Sequence, residues 1–272
     1  MSHRILKFLK TPKGRLTILL AILIDITAPL EKGHPALNLA CAVVAAGLLD
    51  AVILRVRKKA WEFPSGAVLS AAIVVMVLRS QEPWYVPTVT SVVAILSKYA
   101  LRSLGANVFN PAALAMVASY YLFHAGQSWW GAVPELPSVA TFLLIAFGVY
   151  ITNRVNKMPL VLSFLAGYFL LFGVTAYVAD PLTVAEVFRA PDLQAVLYFA
   201  FFILTDPPTS PTRYGEQVVC GGIVALVACA AFQATGVVYY LLAGVLVGNG
   251  WEAWRRVSRR AARTLSPRMA DA

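Results

Sequence analysis

Charge is scarce in this sequence. Only 13% of its 272 residues are charged, against 59% hydrophobic. An ordinary soluble domain carries about 25% charged residues, so this chain has too little polar surface to clothe itself in water. Histidine and cysteine are scarce too, with three of each. Cys41, Cys220 and Cys229 lie inside apolar runs and form no C-x-x-C pair. That argues against a disulfide framework or an iron–sulfur site within the chain, and the three read as small buried hydrophobes. His34 and His124 fall at the ends of apolar runs, which is a poor arrangement for haem ligation. The sequence also lacks H-E-x-x-H, a phosphate-binding Gly loop and a dinucleotide fingerprint, and no metal site is expected. No A-x-A-like site follows the first apolar run, which reads as a retained helix.

What the chain has in quantity is apolar runs of helical length. A helix needs about 20 mainly apolar residues to cross about 30 Å of hydrocarbon. Ten runs qualify or nearly so, at 16–30, 35–54, 64–78, 84–101, 111–123, 137–151, 158–178, 193–205, 217–232 and 236–250. Proline opens many of them, where its missing N–H costs least.

The net charge is +10. The cations sit in short blocks between the runs, a pattern of membrane topology rather than of nucleic-acid binding. With the N-terminus inside and ten crossings, 20 of the 23 Lys and Arg fall on the inner side. Lys32, Arg79 and Arg189 remain outside. Basic residues collect on the cytoplasmic face, so this split predicts an inner-membrane protein with both termini cytoplasmic. The basic tail from Arg255 to Arg268 reads as a solvated anchor near acidic lipid.

The expected fold is therefore all-α and integral to the membrane. Ten helices divide into five and five, and an odd number per half reverses one half against the other. The expected organisation is one polytopic domain, with a first repeat over 1–126, a second over 127–254 and a basic tail over 255–272. The third run of each half is short, a pairing that points to a binding site near the repeat interface or to simple tilt.

Two polar segments stand out, both on the inner side. In the first, Leu104-Gly-Ala-Asn-Val-Phe-Asn-Pro111, Asn110 before Pro111 reads as an N-cap with proline at the first helical position. Gly105 permits a tight turn or the close approach of a ligand. Asn107, and Asn110 if capping does not consume it, offer paired donor and acceptor groups suited to a flavin edge. The alternative is a capped helix start with no ligand. In the second, Phe201-Phe-Ile-Leu-Thr-Asp-Pro-Pro-Thr-Ser-Pro211, the prolines end a helix. Thr205, Asp206, Thr209 and Ser210 then offer oxygens at a membrane edge, to a cation or a ligand N–H or only to a stiff polar loop.

These segments carry a family resemblance. Asn107-Val-Phe-Asn-Pro-Ala-Ala113 resembles the N-x-F-N-P-A element of the NqrB/RnfD family. Those proteins are membrane subunits of the Na⁺-translocating NADH:quinone reductase and of Rnf electron-transport complexes. Phe202-Ile-Leu-Thr-Asp-Pro-Pro-Thr-Ser-Pro211 is similar to the family's F-x-x-T-D-P-x-T-S-P element. Pro64-Ser-Gly-Ala-Val-Leu-Ser-Ala-Ala72 is more loosely similar to its D-G-x-A-L-x-T-G segment. The resemblance spans residues 35–250. It implies a ten-helix fold of two inverted halves and a flavin, FMN or riboflavin, near Gly105, Asn107, Phe109, Asn110, Thr205, Asp206, Thr209 and Ser210. It also implies a flavin- or iron–sulfur-containing reductase and other membrane subunits as partners, and no nucleic acid. One departure is clear. Where the family carries a Gly-Ala-Thr element esterified to FMN, this chain reads His124-Ala-Gly-Gln-Ser-Trp-Trp-Gly-Ala-Val-Pro-Glu-Leu-Pro137, without threonine. The expected flavin is therefore non-covalent.

Asp25 lies inside the first run and, with Asp206, is a candidate for an ion or proton pathway. Asp50 lies near a basic inner block, which favours a local ion pair. Trp129 and Trp130 read as interface anchors, and Tyr198, Phe199, Phe201 and Phe202 as packing. Two functions remain: an electron-transfer subunit, or a channel or transporter for a small solute or ion on the same scaffold. A purely structural assembly subunit would show neither flavin nor flux.

Overall fold

The computed structural model describes residues 7–58, 62–178 and 181–270. Arg4 and Lys59 of the basic blocks lie outside the described residues. Ten helices follow one another between residues 12 and 270. They are α1 (Pro12–Thr27), α2 (Pro35–Lys58), α3 (Ser65–Val77), α4 (Tyr85–Ala100), α5 (Pro111–Phe123), α6 (Pro137–Arg154), α7 (Met158–Val178), α8 (Asp192–Tyr198), α9 (Tyr214–Thr235) and α10 (Tyr240–Ala270). Each overlaps one of the ten apolar runs, α8 covering only the first part of 193–205 and α10 running well beyond 236–250. Three of these helices, α2, α7 and α9, are long and apolar enough to cross a membrane alone. Apolar composition and helical structure make the chain a multi-pass membrane protein.

Local chemistry sets the helix boundaries. Thr11 caps α1 by accepting from the Gly14 N–H at 3.1 Å, with Pro12 at the first position. Asn110 caps α5 in the same way, its Oδ1 accepting from the Ala113 N–H at 3.1 Å. His124 ends α5 and Gly236 ends α9, both in the left-handed conformation that closes a helix. The α8 helix runs into a single π turn, Phe199–Ile203, all of it buried. Tyr198, Phe199, Phe201 and Phe202 are core residues, as the sequence reading had them.

The packing has a regular order. Helix α2 lies on α4, α4 on α5, and α1 on α3. Likewise α7 lies on α9, α9 on α10, and α6 on α8. Helix contacts that join these groups include α1 with α6 and α5 with α10, and the short turn at Trp130–Ala132 packs on α1 and α3. The α9–α10 contact is close because Gly244 has no side chain: a Cβ there would lie 2.7 Å from the Val224 carbonyl oxygen.

Helix α3 is short and buried, and its C-terminal carbonyls would be costly in an apolar interior. Residues 124–133 fold back against that end. The Ser128 and Trp129 N–H groups donate to Val77 O at 3.0 and 3.1 Å, and Trp130 Nε1 donates to Val75 O at 2.6 Å. Trp129 and Trp130 are thus buried, at 8% and 1% exposure, and not anchors at the membrane surface. The Trp130 indole donor is used inside the protein, and Trp129 packs edge-on against Tyr198, which a hydropathy pattern does not reveal.

Candidate functional site

Both polar segments come together at the start of α5, beyond the π turn that follows α8, and against the middle of α10. The first begins as a small hairpin, β1 (Arg102–Ser103) paired antiparallel with β2 (Ala106–Asn107). Its two-residue turn needs positive φ at both central positions, and Leu104 and Gly105 have φ of 50° and 82°. Arg102 closes the turn by donating to the Gly105 carbonyl. Nothing lies within 4 Å of where a Cβ on Gly105 would stand, so that face of the turn is open. Asn107 is half-buried, and its side-chain amide has no hydrogen bond among the described residues. Phe109 is half-buried beside Gly250 of α10.

Asn110 differs from Asn107. It is 6% exposed, its Oδ1 caps α5, and its Nδ2 donates to Ile203 O at 3.2 Å. Capping and the link to the second segment both draw on this amide, so Asn110 acts as a joint between the segments.

The second segment is wound around Asp206. Its carbonyl accepts from the N–H groups of Thr209 and Ser210 at 3.2 and 3.1 Å and from Ser210 Oγ at 2.7 Å. Its Oδ2 accepts from Thr209 Oγ1 at 2.9 Å. Thr205 Oγ1 donates back to Phe201 O at 2.7 Å, within the π turn. Burial pushes the Asp206 carboxyl above the ordinary range, while the Thr209 hydroxyl and the charges of Lys13 and Lys157 pull it back down.

Four residues that the motifs did not include hold this arrangement. Lys157, 2% exposed, donates to the carbonyls of Ser210 and Pro211. Its burial lowers the ammonium to about 8, against the opposing pull of Glu252, Asp206 and Cys220. Asn249 of α10 is 2% exposed. Its Oδ1 accepts from the Asn110 N–H at 2.8 Å, and its Nδ2 donates to Thr209 O at 3.2 Å. Arg256 donates to Asn107 O at 3.0 Å and to Pro208 O at 3.2 Å. Glu216, buried at the start of α9, meets Arg255 at 3.2 Å and also pairs with Arg259. The first turns of the basic tail therefore continue α10 as a structural clamp, not as the freely solvated anchor expected. An asparagine between two glycines in an apolar run, Gly248-Asn249-Gly250, was the available sequence signal for Asn249.

The remaining candidates lie elsewhere. Asp25 is exposed on the outer surface of α1 and has no partner among the described residues. Asp50 is 1% exposed, and Lys98 Nζ reaches its two oxygens at 2.9 and 3.2 Å, with Tyr99 donating as well. An ion pair was expected, but its partner is Lys98 of α4, 48 residues away, rather than the basic block that follows Asp50.

A bundle of apolar helices with two polar loop motifs locked by its last helix defines a polytopic membrane protein with a polar site where those loops meet. The NQR2, RnfD, RnfE family matches residues 10–144, and the chain belongs to that family. The matched stretch contains the Asn107–Ala113 element; the Thr205–Pro211 element lies beyond it. No curated protein matches the chain. Family membership makes it a membrane subunit of the electron-transport type, working alongside other membrane subunits.

Proposed function

We propose that the chain is an electron-transfer subunit that holds a flavin non-covalently at the junction of its two motif loops. The observation that carries this reading is the Asn107 amide. It offers an unspent donor and acceptor beside an open glycine turn, next to the loop built on Asp206. Such a group can bond the O=C–N–H edge of a flavin ring. The same residues do not fit covalent attachment. The segment 124–137 has no threonine, and the Ser128 hydroxyl faces Leu78 O at 3.5 Å.

The flavin supplies the redox chemistry, and the protein supplies position and electrostatics. Asn107 orients the ring edge. Asp206 and Lys157 set the local charge, and Lys157 holds the loop that carries Asp206. A separate flavin- or iron–sulfur-containing reductase delivers the electrons, since the chain has no dinucleotide fingerprint. We assign both motif loops and both termini to the cytoplasmic face of the inner membrane, on the asymmetry of Lys and Arg. We also propose two inverted repeats, 1–126 and 127–254. Exchanging each helix for the one five places later maps the pairs α2–α4, α4–α5 and α1–α3 onto α7–α9, α9–α10 and α6–α8, whereas the α2–α3 and α3–α4 contacts of the first half have no comparably extensive counterpart in the second. The cross-contacts α1–α6 and α5–α10 pair each helix with its own equivalent.

The test is flavin content. Protein purified in detergent should absorb in the flavin region, and Asn107→Ala should lose most of that flavin while staying folded. Unchanged occupancy would remove Asn107 from the site. The paired interruptions at α3 and α8 support a second reading, transport on the same scaffold. A folded, colourless protein that moves solute in vesicles would favour it.

A further inference from the structure

We infer that α10 is the positioning element of the candidate site, with Asn249 and Arg256 as positioning residues that set the separation of the two motif loops. The inference rests on the flavin reading for its functional consequence, but the geometry stands without it. The loops come from distant parts of the chain, and one direct bond joins them, Asn110 Nδ2 to Ile203 O at 3.2 Å. The rest of their registration runs through one face of one helix. Asn249 and Arg256 stand seven residues apart, about two turns, so their side chains leave α10 on the same side. Each residue touches both loops. Asn249 binds Asn110 N in the first and Thr209 O in the second. Arg256 binds Asn107 O in the first and Pro208 O in the second.

The two clamps have different depths. Asn249 is buried at 2% exposure and works on the helix-start side of each loop. The Arg256 side chain is 20% exposed and works nearer the water, on the carbonyl of the residue whose side-chain amide is free. A ligand held by Asn107 thus inherits its position from Arg256 through the Asn107 backbone. The guanidinium suits this role because its rigid planar fork sends separate N–H donors in fixed directions to the two carbonyls, a geometry that a flexible ammonium does not hold as firmly.

The experiment places nitroxide labels on Leu104→Cys and Pro207→Cys, in full-length protein with Cys41, Cys220 and Cys229 changed to Ala, and reads the distance distribution by pulsed electron resonance. A narrow distribution is expected with Asn249 and Arg256 intact. Asn249→Ala and Arg256→Ala should each broaden it, and Arg256→Lys should fall between. Binding of added FMN and of added riboflavin is measured in parallel by fluorescence quenching. Loss of a positioning partner should weaken flavin binding by about tenfold or more, with Arg256→Lys recovering part of it. Should Asn249→Ala fail to fold, the more exposed Arg256 series decides the matter. Unchanged distances in the Ala variants would overturn the inference, whatever flavin does. Broadened distances in a protein that binds neither flavin would uphold the positioning role and sink the flavin reading instead.

Discussion

The side-chain oxygen of Asn249 accepts the buried backbone N–H of Asn110 at 2.8 Å, across 139 residues of sequence. The N-terminus of α5 therefore depends on α10 for one of its hydrogen-bond partners. Replacing Asn249 by Leu keeps the volume apolar but orphans the Asn110 N–H and the Thr209 carbonyl. Buried orphans cost about 1–3 kcal/mol each. A fall in the unfolding midpoint of the detergent-purified variant, larger than that of Asn107→Ala, is the expected outcome.

Asp50 and Lys98 offer a second test. Asp50 is 1% exposed, and Lys98 covers both its oxygens. Lys98→Met leaves a buried carboxylate without its main counter-charge and should destabilise by about 3 kcal/mol. The double variant Asp50→Leu/Lys98→Met removes both charges and should recover more than half of that loss. Equal losses in the single and double variants would mean that the stranded Asp50 carboxylate carries no penalty of its own.

Lys157 gives a pH dependence with a definite sign. The folded ammonium titrates near 8 and the unfolded one near 10.5. Below about 8 both states are protonated, and the folded state carries the full desolvation penalty. Between these values the unfolded state binds more protons, so stability rises with pH. Measured against Lys157→Met, which cannot titrate there, the wild-type unfolding midpoint should gain as pH rises from about 8 toward 10.5. A parallel pH profile in the two proteins would show that Lys157 is not desolvated.

Trp130 tests the interior fold-back. Its Nε1 donates to the Val75 carbonyl at 2.6 Å. Trp130→Phe keeps an aromatic ring but removes the donor, and should cost about 1–3 kcal/mol. A tryptophan that merely anchored the protein at the membrane surface would tolerate this change.

The sequence made the helices legible because a bilayer punishes every unpaired backbone group, leaving long apolar runs as the visible mark of helix. Asn110-Pro111 was readable for the same local reason: a cap and its helix are neighbours in sequence. Gly105 was readable as a turn residue, since few residues accept positive φ. What stayed hidden was non-local. Lys157 reads as a topogenic charge until Ser210 and Pro211 are found against it. Asn249 reads as an isolated polar residue until both loops arrive. Trp129 and Trp130 misled because an indole ring suits a membrane surface and an interior site equally well, against Tyr198 for Trp129 and the Val75 carbonyl for Trp130. Asp25 looked interior because a run of apolar letters does not say which side of a helix faces lipid.

The fold-back of residues 124–133 onto α3 has an electrical consequence. A helix that stops inside a bilayer ends in bare carbonyl oxygens, the same groups that line cation pathways in channels. Here the oxygens of Val75 and Val77 are occupied by N–H donors from that one stretch. Those oxygens are thereby withheld from any passing ion. Two backbone donors and one indole donor thus leave that helix end with fewer acceptors to offer a cation.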